Sequence, residues 1–321
     1  RAGRGSSFVH NDFRAGNIIY NESKPQPFAV IDPGPEFTHP YLCLAYSLLL
    51  EEVHGANDPA DLRRGYGDVS PIDDSRCSHR TVIATAGAGS SALSHLLSVA
   101  GASRTLLESI VPYSQAAFDD FLGKPPKQYV SDDAARLLAG RAYTRASQLE
   151  RGDFPLVGLS CTATIVTDRH KKGEHRGFVA TWQPHQLNTY SIVLKKGERN
   201  RAEEEAIYSL IMINALATAC GLSAQIPLPL HGDEVVEATR YDFAVVTQQL
   251  HDQAIPFFAL HDNGRIRTTD VCPQTILSGS FNPLHAGHLG MAHAASQLLD
   301  RPVAFELSAF NVDKPPIPPR W

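Results

Sequence analysis

The sequence has few of the features that stabilise secreted proteins or anchor a chain in a membrane. Only five of its 321 residues are cysteine, and none forms a Cys-x-x-Cys pair, which argues against a zinc site or a disulfide framework. The densest apolar run, Leu42 to Leu50, is too short to cross a membrane. No signal-peptide pattern opens the chain. These absences predict a cytoplasmic protein that does not interact with membranes.

The charge balance gives no reason to expect a nucleic-acid partner. The net charge is -5, and 43% of the residues are apolar, which is enough to bury several cores. The length predicts two to three folding units. Because the chain begins with Arg1 and reaches a chemical motif within ten residues, we interpret it as part of a longer protein at both ends.

The most informative pattern is a glycine turn followed by two histidines near the C-terminus. Residues 275–277 are typical of a buried strand and 287–299 have helical apolar spacing, so the turn places a helix N-terminus and backbone N–H groups at a phosphate. His285 and His288 lie one helical turn apart on one face. Two imidazoles there can donate hydrogen bonds to phosphate oxygens in a transition state. The alternative is that the two histidines only cap the helix or pack.

The turn Gly-Ser-Phe-Asn-Pro at 279–283, followed by His-Ala-Gly-His at 285–288, resembles the nucleotidyltransferase superfamily. Within it, the segment is similar to nicotinamide or nicotinate mononucleotide adenylyltransferases. The resemblance implies that residues 273–321 begin a Rossmann-like domain, and that the protein joins ATP to a pyridine mononucleotide with Mg²⁺ assisting. His285 and His288 would be its catalytic residues. The implied nucleotide-binding residues are Gly279, Ser280, Phe281, Asn282 and Gly287.

Two further observations qualify the resemblance of this C-terminal segment. Lys314 is a candidate phosphate contact, although a solvated lysine before a proline-rich stretch fits the sequence equally well. The family's later Ile-Ser-Ser-Thr-x-x-Arg helix start has no counterpart before Trp321. We therefore expect the domain to be truncated in this chain.

A second motif lies in the first 75 residues, where two short apolar strands flank a polar turn. Phosphoryl transfer needs a base for the acceptor hydroxyl and oxygen ligands for Mg²⁺. Asp12 would be the base, with Asn17 and Asp32 as metal ligands; the alternative is ordinary backbone hydrogen bonding in a turn. Residues 1–75 resemble the C-lobe of aminoglycoside phosphotransferase-like kinases. The family's bracing acidic residue and its N-lobe are missing, so we do not expect this segment to be active alone.

The middle of the chain, 80–222, alternates strands and helices and predicts a layered α/β domain. It resembles the C-terminal domain of the CinA family, which is known for nicotinamide mononucleotide deamidation. Counting from shared landmarks places Ala86 where that family has its nucleophilic serine and Phe118 where it has a lysine. The resemblance therefore implies an amidase fold without amidase chemistry.

Two roles remain open for this middle segment. Its turn at 86–91 could keep a nucleotide pocket, because a helix N-terminus there would offer free N–H groups. The segment could instead be structural or mediate a homo-oligomer. Ser90 and Ser91 fit helix caps better than nucleophiles.

Taken together, the sequence predicts a multidomain α/β protein of nucleotide metabolism. Its parts are the kinase-like segment 1–75, the CinA-like domain 80–222, a connecting region 223–272 with a small hairpin, and the nucleotidyltransferase-like segment 273–321. Adenylyl transfer from ATP to a small-molecule nucleotide is the leading function. The alternatives are a small-molecule kinase and a non-catalytic nucleotide-binding or assembly module.

Overall fold

A computed structural model describes residues 19–20, 27–28, 79–99, 102–168, 172–223, 225–269, 273, 275–279, 281 and 285–307. The chain divides into two compact units, Arg1–Arg240 and Tyr241–Trp321. Near the start of the first unit, β1 (Ile19–Tyr20) pairs antiparallel with β2 (Pro27–Phe28). None of the described helices combines the length and the apolar character needed to cross a membrane.

The first unit is built on a mixed six-stranded sheet with the order β4-β3-β5-β6-β7-β8. The central strand β3 pairs parallel with β4 and β5, and β5, β6 and β7 follow one another antiparallel. The strands are β3 (Arg80–Ala86), β4 (Leu106–Ile110), β5 (Leu156–Ala163), β6 (His175–Trp182), β7 (Gln186–Leu194) and β8 (Glu237–Asp242). The helices are α1 (Ser90–Leu97), α2 (Gln115–Leu122), α3 (Asp132–Leu149) and α4 (Arg201–Ala219).

Helices cover both faces of this sheet and form a separate apolar cluster on each. Side chains alternate between faces along a strand, so Ile83 of β3 joins a cluster with α1 and α4, while Val82 and Ala84 join one with α2 and α3. The layered α/β prediction for 80–222 is confirmed. Strands and helices alternate along these residues as the sequence pattern predicts, because their hydrophobic periodicity matches their burial.

Helix α3 lies unusually close to β5, and small residues make that approach possible. Ala135 and Ala139 of α3 are fully buried, and the Ser160 hydroxyl of β5 donates a hydrogen bond to the Ala135 carbonyl at 2.6 Å. A Cβ atom at Gly158 would lie 2.1 Å from the Ala139 carbonyl oxygen and 2.3 Å from the Tyr143 amide nitrogen. Glycine at 158 is therefore a requirement of this packing.

The region after α4 is more ordered than the sequence suggests. The Asn214 side chain pairs with both backbone groups of Ile226, accepting at 2.7 Å and donating at 2.8 Å. Beyond this segment the structure contains β8 and a helix α5 (Phe243–His251), where an irregular connection is expected from the prolines at 227 and 229. Strand β8 is polar and lacks apolar alternation, so its sequence gives little sign of a strand.

The second unit contains a hairpin and a parallel strand–helix–strand motif. The predicted hairpin is present, with β9 (Ala259–Leu260) paired to β10 (Ile266–Arg267). The motif consists of β11 (Ile276–Ser278), α6 (Ala286–Leu299) and β12 (Ala304–Glu306), with β11 and β12 parallel. The prediction of a buried first strand is wrong, since Ile276 is 50% exposed. A single crossover helix can cover only one face of a two-stranded sheet.

Replacing Gly158 with alanine should destabilise the first unit strongly, because the new methyl group collides with rigid helix backbone rather than with a movable side chain. We expect a loss of about 3 kcal/mol in the free energy of unfolding, measured by urea denaturation. Gly173→Ala is the matched control, since nothing lies within 4 Å of the position of its Cβ. Equal stability of the two variants would contradict the close α3–β5 packing.

Candidate functional site

The turn between β11 and α6 forms the candidate site in the second unit. In the parallel strand–helix–strand motif, β11 ends at Ser278 and α6 begins at Ala286, and the Gly279 N–H donates to the Glu306 carbonyl of β12 at 3.1 Å. The start of the helix therefore lies at the carboxyl edge of the two strands. Gly279, Phe281 and Gly287 are placed at this edge, whereas Ser280 and Asn282 lie outside the described residues.

His285 and His288 come together at the start of α6. Their rings stack with centroids 3.7 Å apart and an interplanar angle of 25°. His285 is the N-cap, and its Nδ1 accepts from the Gly287 N–H at 3.2 Å, while the Nδ1 of His288 accepts from the His285 N–H at 3.4 Å. Both histidines therefore cap the helix, and the prediction that they share one face is correct.

Capping uses only one nitrogen of each ring and fixes the proton on the other. A neutral imidazole whose Nδ1 accepts a hydrogen bond carries its proton on Nε2. Both histidines therefore have an Nε2–H group that the cap does not use. His285 is exposed and His288 half-buried, so the pair lies at the surface of the described chain. Capping and phosphate binding are compatible functions of these two side chains.

Phe281 has an unusual backbone conformation in this turn. Its φ of 44° lies in the left-handed region, which costs about 1–2 kcal/mol for a residue with a side chain. Its ring makes edge-to-face contacts with His288 at 5.2 Å and with Phe305 at 4.9 Å. The sequence predicts Phe281 as part of the nucleotide-binding turn but gives no sign of these ring contacts.

The comparisons with known proteins bear on this site directly. Residues 276–318 match the cytidylyltransferase-like family. This match covers β11, the turn, α6 and β12, and it confirms at the coarse level the resemblance of the C-terminal segment to nucleotidyltransferases. No curated protein matches the chain.

Several solved structures of the CinA superfamily are also similar to the chain. A CinA superfamily protein from Escherichia coli is 14% identical, with 62% of this chain and 97% of that one covered and a TM-score of 0.36. The competence/damage inducible protein CihA from Agrobacterium tumefaciens is 17% identical, with 57% and 96% covered and a TM-score of 0.36. A competence or damage-inducible protein from Enterobacter asburiae is 12% identical, with 55% and 96% covered and a TM-score of 0.37. Such scores carry no conclusion about function.

The residues predicted for the kinase-like segment lie outside the described part of the chain. Asp12, Asn17 and Asp32 are in this group, and so is Lys314 of the C-terminal segment. Among the described residues, no cluster of three or more His, Cys, Asp or Glu side chains could hold a metal ion.

In the first unit, the two positions expected to have lost amidase chemistry are apolar and buried. Ala86 ends β3 and is 9% exposed, and Phe118 of α2 is 3% exposed. Both belong to the cluster that α2 and α3 form against the sheet, where the Phe118 ring meets Tyr129 edge-to-face at 5.3 Å. A serine nucleophile and its base have no counterpart at these positions.

The start of α1 is closed by a carboxylate from α4. Its N-cap, Gly89, has no side chain to satisfy the first N–H groups, and Glu205 does so instead. The Glu205 carboxylate accepts from the N–H groups of Gly89 and Ser91, each at 3.0 Å. It also accepts from the hydroxyls of Ser90 at 3.0 Å, Ser91 at 2.5 Å and Ser209 at 3.2 Å.

This arrangement corrects the prediction of a nucleotide pocket with free N–H groups at 86–91. An internal carboxylate already occupies the position that a phosphate would need at this helix start. Ser90 and Ser91 also do not cap α1 themselves, but donate to Glu205. The only local sign of this contact is a run of three glutamates, Glu203 to Glu205, at the start of α4.

Each of these three glutamates has a different partner. Glu203 accepts from the Asn200 N–H at 2.7 Å and completes a capping box at the start of its own helix. The fully buried Glu204 binds the Nδ1 of His175 at 2.7 Å and accepts from the Val166 N–H at 2.8 Å. Glu205 binds the start of α1. Successive residues of a helix point about 100° apart, which allows three adjacent carboxylates to serve three sites.

The hydrogen bonds also decide the charge of Glu205. Burial raises the pKa of this carboxyl group, but the hydrogen bonds from Ser91, Ser90 and Ser209 outweigh it and hold the pKa below its ordinary value of 4.5. The group is therefore ionised at neutral pH. Because its folded pKa lies below the unfolded one, its stabilisation is complete above about pH 4.5 and is lost as the pH falls through the folded pKa.

Glu205→Gln should therefore destabilise the first unit at pH 7 by about 1–2 kcal/mol, since the half-buried site loses charge-assisted hydrogen bonds that water partly screens. Urea unfolding at pH 7 and at pH 3 measures the effect, and the difference from the wild type should shrink at the lower pH. Glu237→Gln, at an exposed position of β8, is the control and should change little. A difference that stays constant with pH would contradict this role of Glu205.

Proposed function

We propose that the full-length protein, through its C-terminal nucleotidyltransferase-like domain, transfers an adenylyl group from ATP to nicotinamide or nicotinate mononucleotide. The class of reaction is supported by the match of residues 276–318 to the cytidylyltransferase-like family. The choice of ATP and a pyridine mononucleotide rests on the resemblance of the Gly-Ser-Phe-Asn-Pro turn and the His-x-Gly-His motif. The observation that carries the proposal is the stacked pair His285 and His288, with both Nε2–H groups left over from capping.

The reaction requires charge stabilisation more than covalent chemistry. A phosphate oxygen of the mononucleotide attacks the α-phosphorus of ATP, the bond from that phosphorus to the bridging oxygen breaks, and pyrophosphate leaves. Negative charge grows on the non-bridging oxygens during this step. Two imidazole N–H donors fixed before the reaction stabilise that charge without having to reorganise.

The residues at the turn suit an anion better than a resident metal ion. Mg²⁺ prefers oxygen ligands, and the two histidines at the start of α6 offer imidazole N–H groups. These groups donate hydrogen bonds to phosphate oxygens. A Mg²⁺ ion would therefore enter with the phosphates of ATP, as part of the substrate.

His288→Ala should lower the rate of pyrophosphate release by about 100- to 1,000-fold, because it removes one donor to the transition state. The measurement is a coupled pyrophosphate assay with ATP and each pyridine mononucleotide. His293→Ala is the matched control, since this histidine lies on the same helix and is exposed. Undiminished turnover by His288→Ala would contradict the proposal, and so would release of ADP in place of pyrophosphate.

A further inference from the structure

The ring of Phe281 contacts the imidazole of His288 at the start of α6. The Phe281 ring lies edge-to-face against the His288 imidazole, with centroids 5.2 Å apart and an interplanar angle of 89°. The His285 ring stacks on the same imidazole at 3.7 Å. The imidazole that would donate to the phosphate thus contacts two aromatic rings.

The Phe281 ring is itself held by the turn and by the second strand. Phe305 of β12 meets it edge-to-face at 4.9 Å and 90°. A Cβ atom at Gly279 would lie 2.9 Å from two carbons of the Phe281 ring, so the ring covers this glycine closely. The backbone of Phe281 is in the left-handed region. Strained residues of this kind cluster at functional sites.

We propose that Phe281 is a positioning residue, which orients His288 so that its Nε2–H points at the transferred phosphoryl group; the catalytic part of this inference rests on the proposed function. The ring contact restricts rotation of the imidazole, and the hydrogen bond from the His285 N–H to Nδ1 fixes which nitrogen carries the proton. Small misplacements of a catalytic group cost large factors in rate. Phe281 therefore acts on the rate through His288.

Phe281→Leu tests this inference, because leucine keeps an apolar side chain at the same backbone angle but removes the aromatic edge. We expect kcat to fall about 10- to 100-fold while the KM for ATP changes by less than about threefold. Phe257→Leu is the matched control: it removes a ring that is 40% exposed in the same unit and should leave kcat unchanged. A wild-type kcat in Phe281→Leu would overturn the inference.

A second measurement does not depend on turnover. Long-range proton–nitrogen NMR spectra of the full chain report the tautomer and the ring environment of each histidine. In Phe281→Leu, the His288 resonances should shift, and those of His293 should not. If the wild type releases no pyrophosphate, the proposed function fails, and a His288 shift still supports positioning. Unchanged His288 resonances would overturn the inference.

If Phe281→Leu fails to fold, a second variant tests the same inference. Gly279→Ala keeps the phenyl group but adds a methyl 2.9 Å from two of its carbons, so it should displace the ring. Its His288 resonances should shift in the same spectra. Their persistence at the wild-type positions would count against the role of Phe281.

Discussion

The first N–H groups of a helix have no partner within the helix, and each of the two units satisfies this requirement in a different way. In the first unit α1 is capped by Glu205, a carboxylate from another helix that is ionised and half-buried. In the second unit α6 is capped by its own neutral histidines. The first solution fills the position that an anion would take. The second leaves the Nε2–H groups of both rings outside the cap.

The described residues of the two units differ in packing and in the polar groups that they expose. The first unit has an apolar cluster at Ala86 and Phe118 and a closed helix start beside it, which are features of a stable framework. The second unit has a histidine pair at its surface, a strained turn and no buried residue along α6.

Much of the fold follows from the sequence because local periodicity and burial agree. Strands and helices alternate over 80–222 as the sequence pattern predicts, and the pairing of His285 with His288 follows from helical geometry alone. The contact of Glu205 with Ser91 joins residues far apart in the chain and has no local signature. The tautomers of the two histidines are equally hidden, since they depend on which N–H group reaches each ring.

The run Glu203 to Glu205 limits how this protein can vary in length. The three carboxylates point in different directions around α4 and bind three separate partners. All three contacts form only if α4 keeps its present rotation about its axis. Inserting or deleting a single amino acid just before them would turn every carboxylate by about 100° and disconnect all three partners at once. Homologues with the same arrangement should therefore differ here by substitution and place their length changes in the loops.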